Sequence, residues 1–331
     1  MKRLLLLLVG IFIICLSIHA QWNSQTTGVT CAFRGLHAQD ANTAWAVGFS
    51  NNEIIKTTDG GANWTSQTNP SGTFMVSVHF ADLNNGWAGG GTGNILNTTD
   101  GGANWTSQTG ASSQTINRIF FLDANTGWTG ARNGEIQYTT NGGSTWTLGT
   151  TPTTEWILDI VFVNSTTGWA VGNAGVLLKS TDGGVNWSTQ THPGGTNNLY
   201  GVDFIDANNG WVVGAGSTVL NTTNGGTTWT AQTGVAATYY GVDFTDANTG
   251  WACGPSNAIM NTTDGGTNWS AQTASGGNLW RIDMVNSSVG WTVGDATTVL
   301  ATTNGGGLPV ELIQFKANAE NNKVKLFWQT A

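Results

Sequence analysis

The sequence predicts an all-β chain: a seven-bladed β-propeller of four-stranded blades, closed into a ring by its own N-terminal strand. Three observations predict it. A repeat of about 41 residues runs seven times through the chain, a period that belongs to propellers and solenoids. Each repeat holds short runs of alternating apolar residues between turn residues, the pattern of half-buried strands. The last repeat stops before its final strand, and a copy of that strand stands alone near the N-terminus.

Two anchors define the repeat. The first is a tryptophan, preceded by glycine in six copies of seven: Trp45, Trp87, Trp128, Trp169, Trp211, Trp251 and Trp291, spaced 42, 41, 41, 42, 40 and 40 residues apart. The second is T-T-D-G-G-x-x-W, beginning at Thr57, Thr98, Thr139, Ser180, Thr222, Thr262 and Thr302. Within a repeat, strand A is a run such as Tyr240-Gly241-Val242-Asp243-Phe244, followed by the turn Asp246-Ala247-Asn248-Thr249-Gly250. Strand B carries Trp251, strand C carries Ala258-Ile259-Met260, and strand D starts at Trp269. Four strands per repeat and seven repeats match a propeller.

The seventh copy ends at Asn304-Gly305-Gly306 without its tryptophan. The missing piece is Trp22-Asn23-Ser24-Gln25-Thr26, which copies strand D of other repeats, such as Trp64-Thr65-Ser66-Gln67-Thr68. The N-terminus is therefore expected to pair with the strand that ends near Thr303. Such closure removes the exposed edges that an open array would leave. The closed ring is expected to be a monomer.

The propeller spans residues 21–307 in this reading. Residues 1–20 read as an export signal: Lys2 and Arg3, then an apolar run from Leu4 to Ile18, with cleavage near Ala20. The run is short for a permanent anchor, and no other segment is apolar enough for a transmembrane span. Charged residues are 9% of the chain, against about 25% in a typical soluble protein, and Gly, at 47 residues, is enriched about twofold. This composition suits a turn-rich protein that is secreted, extracellular or on the cell surface. The net charge of −8 comes with no basic stripe, which argues against nucleic acid. Cys253 stands where other repeats have valine and reads as a core residue; a disulfide to Cys31 would have to cross a blade.

The conserved-looking turn resembles the Asp-box of sialidases, sortilin-like receptors and other propellers. Asp59, Asp100, Asp182 and Asp264 carry the acid, while Asn141, Asn224 and Asn304 carry its amide. Both supply an acceptor oxygen, so the expected work is capping a turn, with positive φ supplied by the glycines. D-x-N-x-G in the A–B turns lacks the later ligands of a calcium loop, and the three histidines His37, His79 and His192 are scattered in sequence. No metal or cofactor is expected.

Topology puts the A–B and C–D turns on one face and the B–C and D–A connections on the other. The first face repeats the same turns, while the second carries segments that differ in every blade, where function usually sits. At the inner rim of that variable face the reading places Trp156, Tyr200, Tyr239, Tyr240 and Trp280, with Phe74 beside them, as candidate stacking platforms for a ligand. Arg34, Arg118 and Arg281 fall on strands A nearby. With Glu155 they are the few residues available for a sialidase-like arginine triad, and no spacing enforces one.

The unit G-V-D-F-x-D-A-N-T-G-W-x-x-G followed by N-T-T-D-G-G-x-x-W resembles the photosystem II stability/assembly factor family over about Arg34 to Gly306. The resemblance implies a propeller and a role in assembling a membrane complex. It also implies a charged patch from basic residues just before the Asp-box, which here are Lys56 and Lys179; the other copies have Asn97, Tyr138, Asn221, Asn261 and Ala301. Residues 308–331 are similar to the start of the fibronectin-like module that precedes type IX secretion signals, and are expected to begin a second β-domain. Together these readings point first to a secreted, non-catalytic scaffold binding a glycan or a protein at the cell surface through its variable face. The alternatives are a carbohydrate-active enzyme, either sialidase- or xyloglucanase-like, and a photosystem or membrane-complex assembly factor.

Overall fold

The computed structural model describes residues 22–233 and 237–306, and the backbone of residues 312–320 and 323–330. Seven antiparallel four-stranded sheets follow one another around a central channel, each ordered A, B, C, D. The innermost strands are Phe33–Ala38, Met75–Phe80, Ile116–Phe121, Ile157–Phe162, Leu199–Phe204, Gly241–Phe244 and Leu279–Met284. The expected closure is present. Asn23–Ser24 pairs antiparallel with Val299–Thr302, with Asn23 opposite Ala301 and Ser24 opposite Leu300. Trp22 is fully buried and donates its indole N–H to Gln272 Oε1 of blade six at 2.8 Å. The export signal lies outside the described residues.

The Gly-Trp anchor is explained by packing between blades. Trp87 of blade two lies flat on Phe121 of blade three, with ring centroids 3.5 Å apart and planes 5° apart. The Asp-box tryptophan of blade three, Trp146, meets the same Phe121 edge-on at 5.8 Å. Trp87 also donates to the carbonyl of Gly142 at 3.1 Å, tying it to the next Asp-box. The same Trp–Phe–Trp group recurs as Trp45–Phe80–Trp105 and Trp128–Phe162–Trp187. It recurs again as Trp169–Phe204–Trp229 and Trp211–Phe244–Trp269. The stacked faces bury large ring area, and the edge-on contacts add attraction beyond it.

The glycine makes room for that phenyl ring. Phe162 pairs with Gly168 across strands A and B, and a Cβ on Gly168 would stand 2.6 Å from the Phe162 ring. The one copy without glycine confirms the reason. Blade one has Ala38 in place of the phenylalanine, and its partner across the strands is Ala44. Blade seven uses Met284, packed with Trp251 and Trp22. Gly168→Ala should therefore cost about 1–3 kcal/mol by overpacking. Ala38→Phe should melt lower than Ala38→Phe combined with Ala44→Gly, which calorimetry on the two variants checks.

The Asp-box works as the turn argument predicts. Asp59 Oδ1 accepts the backbone N–H of Asn63 at 2.8 Å and the Thr57 hydroxyl at 2.9 Å, and Oδ2 accepts the Asn63 side-chain amide at 2.7 Å. Asn141 accepts the N–H of Thr145 at 2.9 Å and donates its own amide to the Thr145 hydroxyl at 2.9 Å. Acid is thus matched with a donor four residues on, in Asp100–Asn104, Asp182–Asn186 and Asp264–Asn268. Amide is matched with a hydroxyl acceptor, as also in Asn224–Thr228. In blade seven Asn304 Oδ1 accepts the N–H of Gly306 at 3.1 Å. The bonds from Asn104 hold the Asp100 carboxyl down to about 2. The paired change Asp59→Asn with Asn63→Thr should melt with the wild type, and Asp59→Ala should melt below it.

The two repeating turns share a face, as expected: the N–H of Gly60 in the Asp-box reaches the carbonyl of Asn42 in the A–B turn at 3.0 Å. In the A–B turns the acid caps backbone as well, Asp82 Oδ1 accepting from Asn84 and Asn85 at 2.7 and 2.8 Å. Among the described residues, no group of three or more His, Cys, Asp or Glu is placed to hold a metal ion. Cys31 and Cys253 are both buried and free. The C-terminal segment forms a hairpin of Leu312–Glu320 with Lys323–Thr330.

Candidate functional site

The variable face opens on a cavity of about 370 Å³ over the central channel. One residue from the same place in each strand A lines it: Arg34, Val76, Asn117, Leu158, Tyr200, Tyr240 and Trp280. Trp156, Asn173 and Asn198 come in from the loops, and Arg281 lies among the lining residues too. Of the residues expected here, Phe74 and Arg118 do not line the cavity, and Tyr239 is placed elsewhere. It is 3% exposed and belongs to the packing of blade six, because alternation along the strand turns it away from its neighbour Tyr240.

The rim is a continuous stack. Trp280 lies against Tyr240 at 4.3 Å and 11° on the blade-six side, and the Arg34 guanidinium sits 4.1 Å over it on the blade-one side. Tyr240 meets Tyr200 edge-on at 5.3 Å. Arg34 also approaches Phe49, which packs on Phe74. Asp295 fixes this arrangement, accepting from Arg34 at 2.6 Å, from the Trp280 indole at 3.0 Å and from Asn278 at 3.0 Å. Partial burial opposes charge on Asp295, yet these bonds hold its carboxyl below the usual range. Trp280 therefore has its faces occupied and presents only an edge, which corrects the expectation of an open stacking platform. Trp156 differs. It is 39% exposed, with Arg132 over its ring at 4.2 Å.

Deeper in the channel lies a polar layer that the sequence reading did not assemble. Asp159, a buried residue, takes Arg118 Nε at 3.0 Å and Arg281 Nη1 at 2.7 Å. The three arginines thus form no triad facing a ligand. Two share a buried carboxylate and Arg34 pairs at the rim. Arg118, Asp159 and Arg281 also line a space of about 160 Å³, together with His37, His79, Asp203, Asp243 and Asp283 among others. The last five occupy the fifth position of strand A, and several link blades. Asp203, Asp243 and Asp283 accept the N–H of Phe244, Met284 and Ala38 at 2.7, 2.6 and 3.0 Å. The signal was in the sequence: aligned repeats put two histidines and three acids in one column. His37 and His79, scattered in sequence, stand with rings 4.6 Å apart.

Burial raises the Asp203 carboxyl to about 7 and, with repulsion from Asp203 and Asp283, lifts Asp243 well above the usual range. Burial lowers both histidines below theirs. An acid with a raised folded-state pKa binds a proton that the unfolded chain releases, so its stabilising effect fades as pH rises through about 7. The histidines act oppositely, losing stability as pH falls below about 6.5, where the unfolded chain takes up protons. Between about pH 6.5 and 8 the acids act alone, so the melting temperature should fall across that window. Asp203→Asn should flatten the fall, which melts at a series of pH values check.

Lys56 and Lys179 do not build a free basic patch. Lys56 Nζ donates to the carbonyl of Gly101 at 3.0 Å beside the Trp45 ring, and Lys179 Nζ to that of Gly225 at 2.6 Å beside Trp169. Each ties one blade to the next.

Residues 139–231 and 230–316 match the family model of the photosynthesis system II assembly factor YCF48. The chain belongs to this family. Solved structures resemble it over most of its length. One described as YCF48 bound to D1 peptide has a TM-score of 0.72 at 19% identity, covering 86% of this chain and 98% of that one. YCF48 from Cyanidioschyzon merolae has a TM-score of 0.71 at 20% identity, covering 86% and 99%. The WD40 propeller domain of Doa1 has a TM-score of 0.66 at 12% identity, covering 85% and 96%. At these identities the likeness establishes the fold. No curated protein matches the chain.

Membership corrects the first functional reading. A family named for assembling a photosystem overturns the secreted glycan- or protein-binding scaffold, and with it the extracellular or cell-surface localisation. The match agrees with the assembly-factor alternative, and with a non-catalytic chain rather than a glycoside hydrolase. None of the matches supports export by type IX secretion or the fibronectin-like reading of residues 308–331. No helix among the described residues is long and apolar enough to cross a membrane.

Proposed function

We propose that this chain is a non-catalytic assembly factor that holds a peptide segment of a membrane-complex subunit in the cavity on its variable face. Membership of the YCF48 family carries the reading. A solved member of similar fold is bound to a D1 peptide, which makes a peptide the ligand to test first. The cavity supports it in kind. Its volume of about 370 Å³ lies at the low end of ligand sites, with aromatic walls, a few amides and two guanidinium groups, room for a short segment rather than a domain. Trp156 is the wall residue with exposed ring surface, so it is the expected anchor.

Fluorescence anisotropy with a labelled D1 peptide tests this. Saturable binding is expected, weakened on the order of tenfold or more by Trp156→Ala while the melting temperature stays put. Absence of saturable binding, or binding indifferent to Trp156, would count against the reading.

A further inference from the structure

We propose that Arg132 is a positioning residue for the ligand cavity. It holds the Trp156 ring by one face, so that the other stands ready for the bound peptide, and does not touch the peptide itself. The inference rests on the peptide-binding reading above and deepens it by naming what fixes the anchor.

The placement of the two residues points to it. Trp156 lines the cavity and Arg132 does not. Arg132 opens the short turn Arg132–Gly134 between strands B and C of blade three. Trp156 stands just before strand A of blade four, Ile157–Phe162. The same two places meet at other seams between blades. Phe49 packs on Phe74 at 4.7 Å, and the turns that hold Ala174 and Ser256 donate their N–H groups to Asn198 and Asn278 Oδ1 at 2.9 and 3.2 Å. The turn of one blade thus sets the pose of the residue that leads into the next. Between blades three and four that turn is firmly seated. The N–H of Arg132 reaches the Thr115 carbonyl at 3.2 Å, and the Thr151 hydroxyl donates to the Gly134 carbonyl at 2.8 Å. A Cβ on Gly134 would run into the carbonyl of Thr153.

Trp156 needs such support. Its backbone is held, since its carbonyl accepts the N–H of Asn173 at 3.0 Å. Its ring is half-exposed, and among the described residues the Arg132 guanidinium, 4.2 Å over it, is the one charged or aromatic group stacked on it. Arg132 is engaged in return. No ion pair among the described residues involves it, and its Nε is buried without a hydrogen-bond partner. A guanidinium with no carboxylate in reach gains from the negative face of an indole, and more so as water is excluded. With one face covered, the ring offers the other to the cavity that it lines. A ligand packing there finds the rotamer already chosen, so less side-chain freedom is lost on binding.

Two measurements test this. Isotope-labelled tryptophan gives one indole N–H resonance per ring, and the resonance missing from Trp156→Ala belongs to Trp156. In Arg132→Ala that resonance is expected to shift and broaden without any ligand, while the other indole resonances stay in place. Arg132→Lys, which keeps the charge without the flat stack, should fall between. In the second measurement a labelled D1 peptide is titrated by fluorescence anisotropy against the wild type, Arg132→Ala, Trp156→Ala and the double variant, each shown by its melting curve to be folded. Arg132→Ala should weaken binding about threefold to tenfold, the range of a cation–ring contact at a half-exposed site. It should have no further effect once Trp156 is replaced by Ala. Losses that add in the double variant would make Arg132 a direct contact of the peptide and overturn the proposal. Unchanged binding in Arg132→Ala, or a Trp156 resonance left where the wild type has it, would overturn it too. A shifted resonance with no saturable binding to any of the four chains would keep Arg132 as the residue that positions Trp156 and overturn the peptide reading instead.

Discussion

Removing residues 22–26 lowers the melting temperature by about 10 °C or more, the largest change expected from so short a deletion. Two losses combine. Trp22 is fully buried against Trp251 and Met284, and emptying the space of a core tryptophan costs about 3–5 kcal/mol. Asn23 and Ser24 are the outer strand of blade seven, so the deletion also strips the ladder from Val299–Thr302 and leaves an open edge. In a domain of this size each kcal/mol moves the midpoint by about 2–4 °C. Differential scanning calorimetry on the deleted and intact chains decides the matter. Trp22→Ala separates the two terms, since it keeps the strand and removes the ring. An unchanged melt for the deletion would mean that blade seven stands on three strands and that the N-terminal copy is ornamental.

Asp159→Ala is expected to cost about 3–5 kcal/mol, comparable to the loss of the N-terminal strand. The carboxylate is the shared partner of Arg118 and Arg281, and it also accepts the backbone N–H of Val202 at 3.2 Å. Without it, two largely buried guanidinium groups face each other with no counter-charge between them. Breaking a buried ion pair from one side is costly for that reason, while replacing every member by apolar groups of similar volume need not be. The triple change Arg118→Met, Asp159→Leu and Arg281→Met should therefore recover much of the stability that Asp159→Ala loses. Urea melts of the single and triple variants test the pair of statements together. Equal losses in both would show that Asp159 acts through its backbone bond and not through the arginines.

The fold was legible in the residues because each blade states the same local physics. Alternating apolar runs, turn residues at fixed offsets and the acid or amide of each Asp-box act within one repeat, and the stray Trp22 strand complements the repeat that lacks one. The glycine before six of the seven strand-B tryptophans was visible too, but its cause was not. The ring that needs the space lies on another strand, and Ala44 becomes intelligible only once it is seen opposite Ala38. The site shows the same division. Which side chains reach the variable-face rim follows from their place in strand A, and Arg34, Tyr200, Tyr240 and Trp280 are found there. What those side chains can still do was decided by neighbours brought in from distant blades. Tyr239 went into the core by alternation, the faces of Trp280 were taken by Arg34 and Tyr240, and Arg118 and Arg281 were drawn to one carboxylate. Sequence determines a strand's direction and which residues share its face. Whether a group on that face is free, stacked or neutralised depends on the charges and rings that other blades set beside it, some one repeat away, as Tyr240 is from Trp280, and some more than a hundred positions away, as Asp159 is from Arg281.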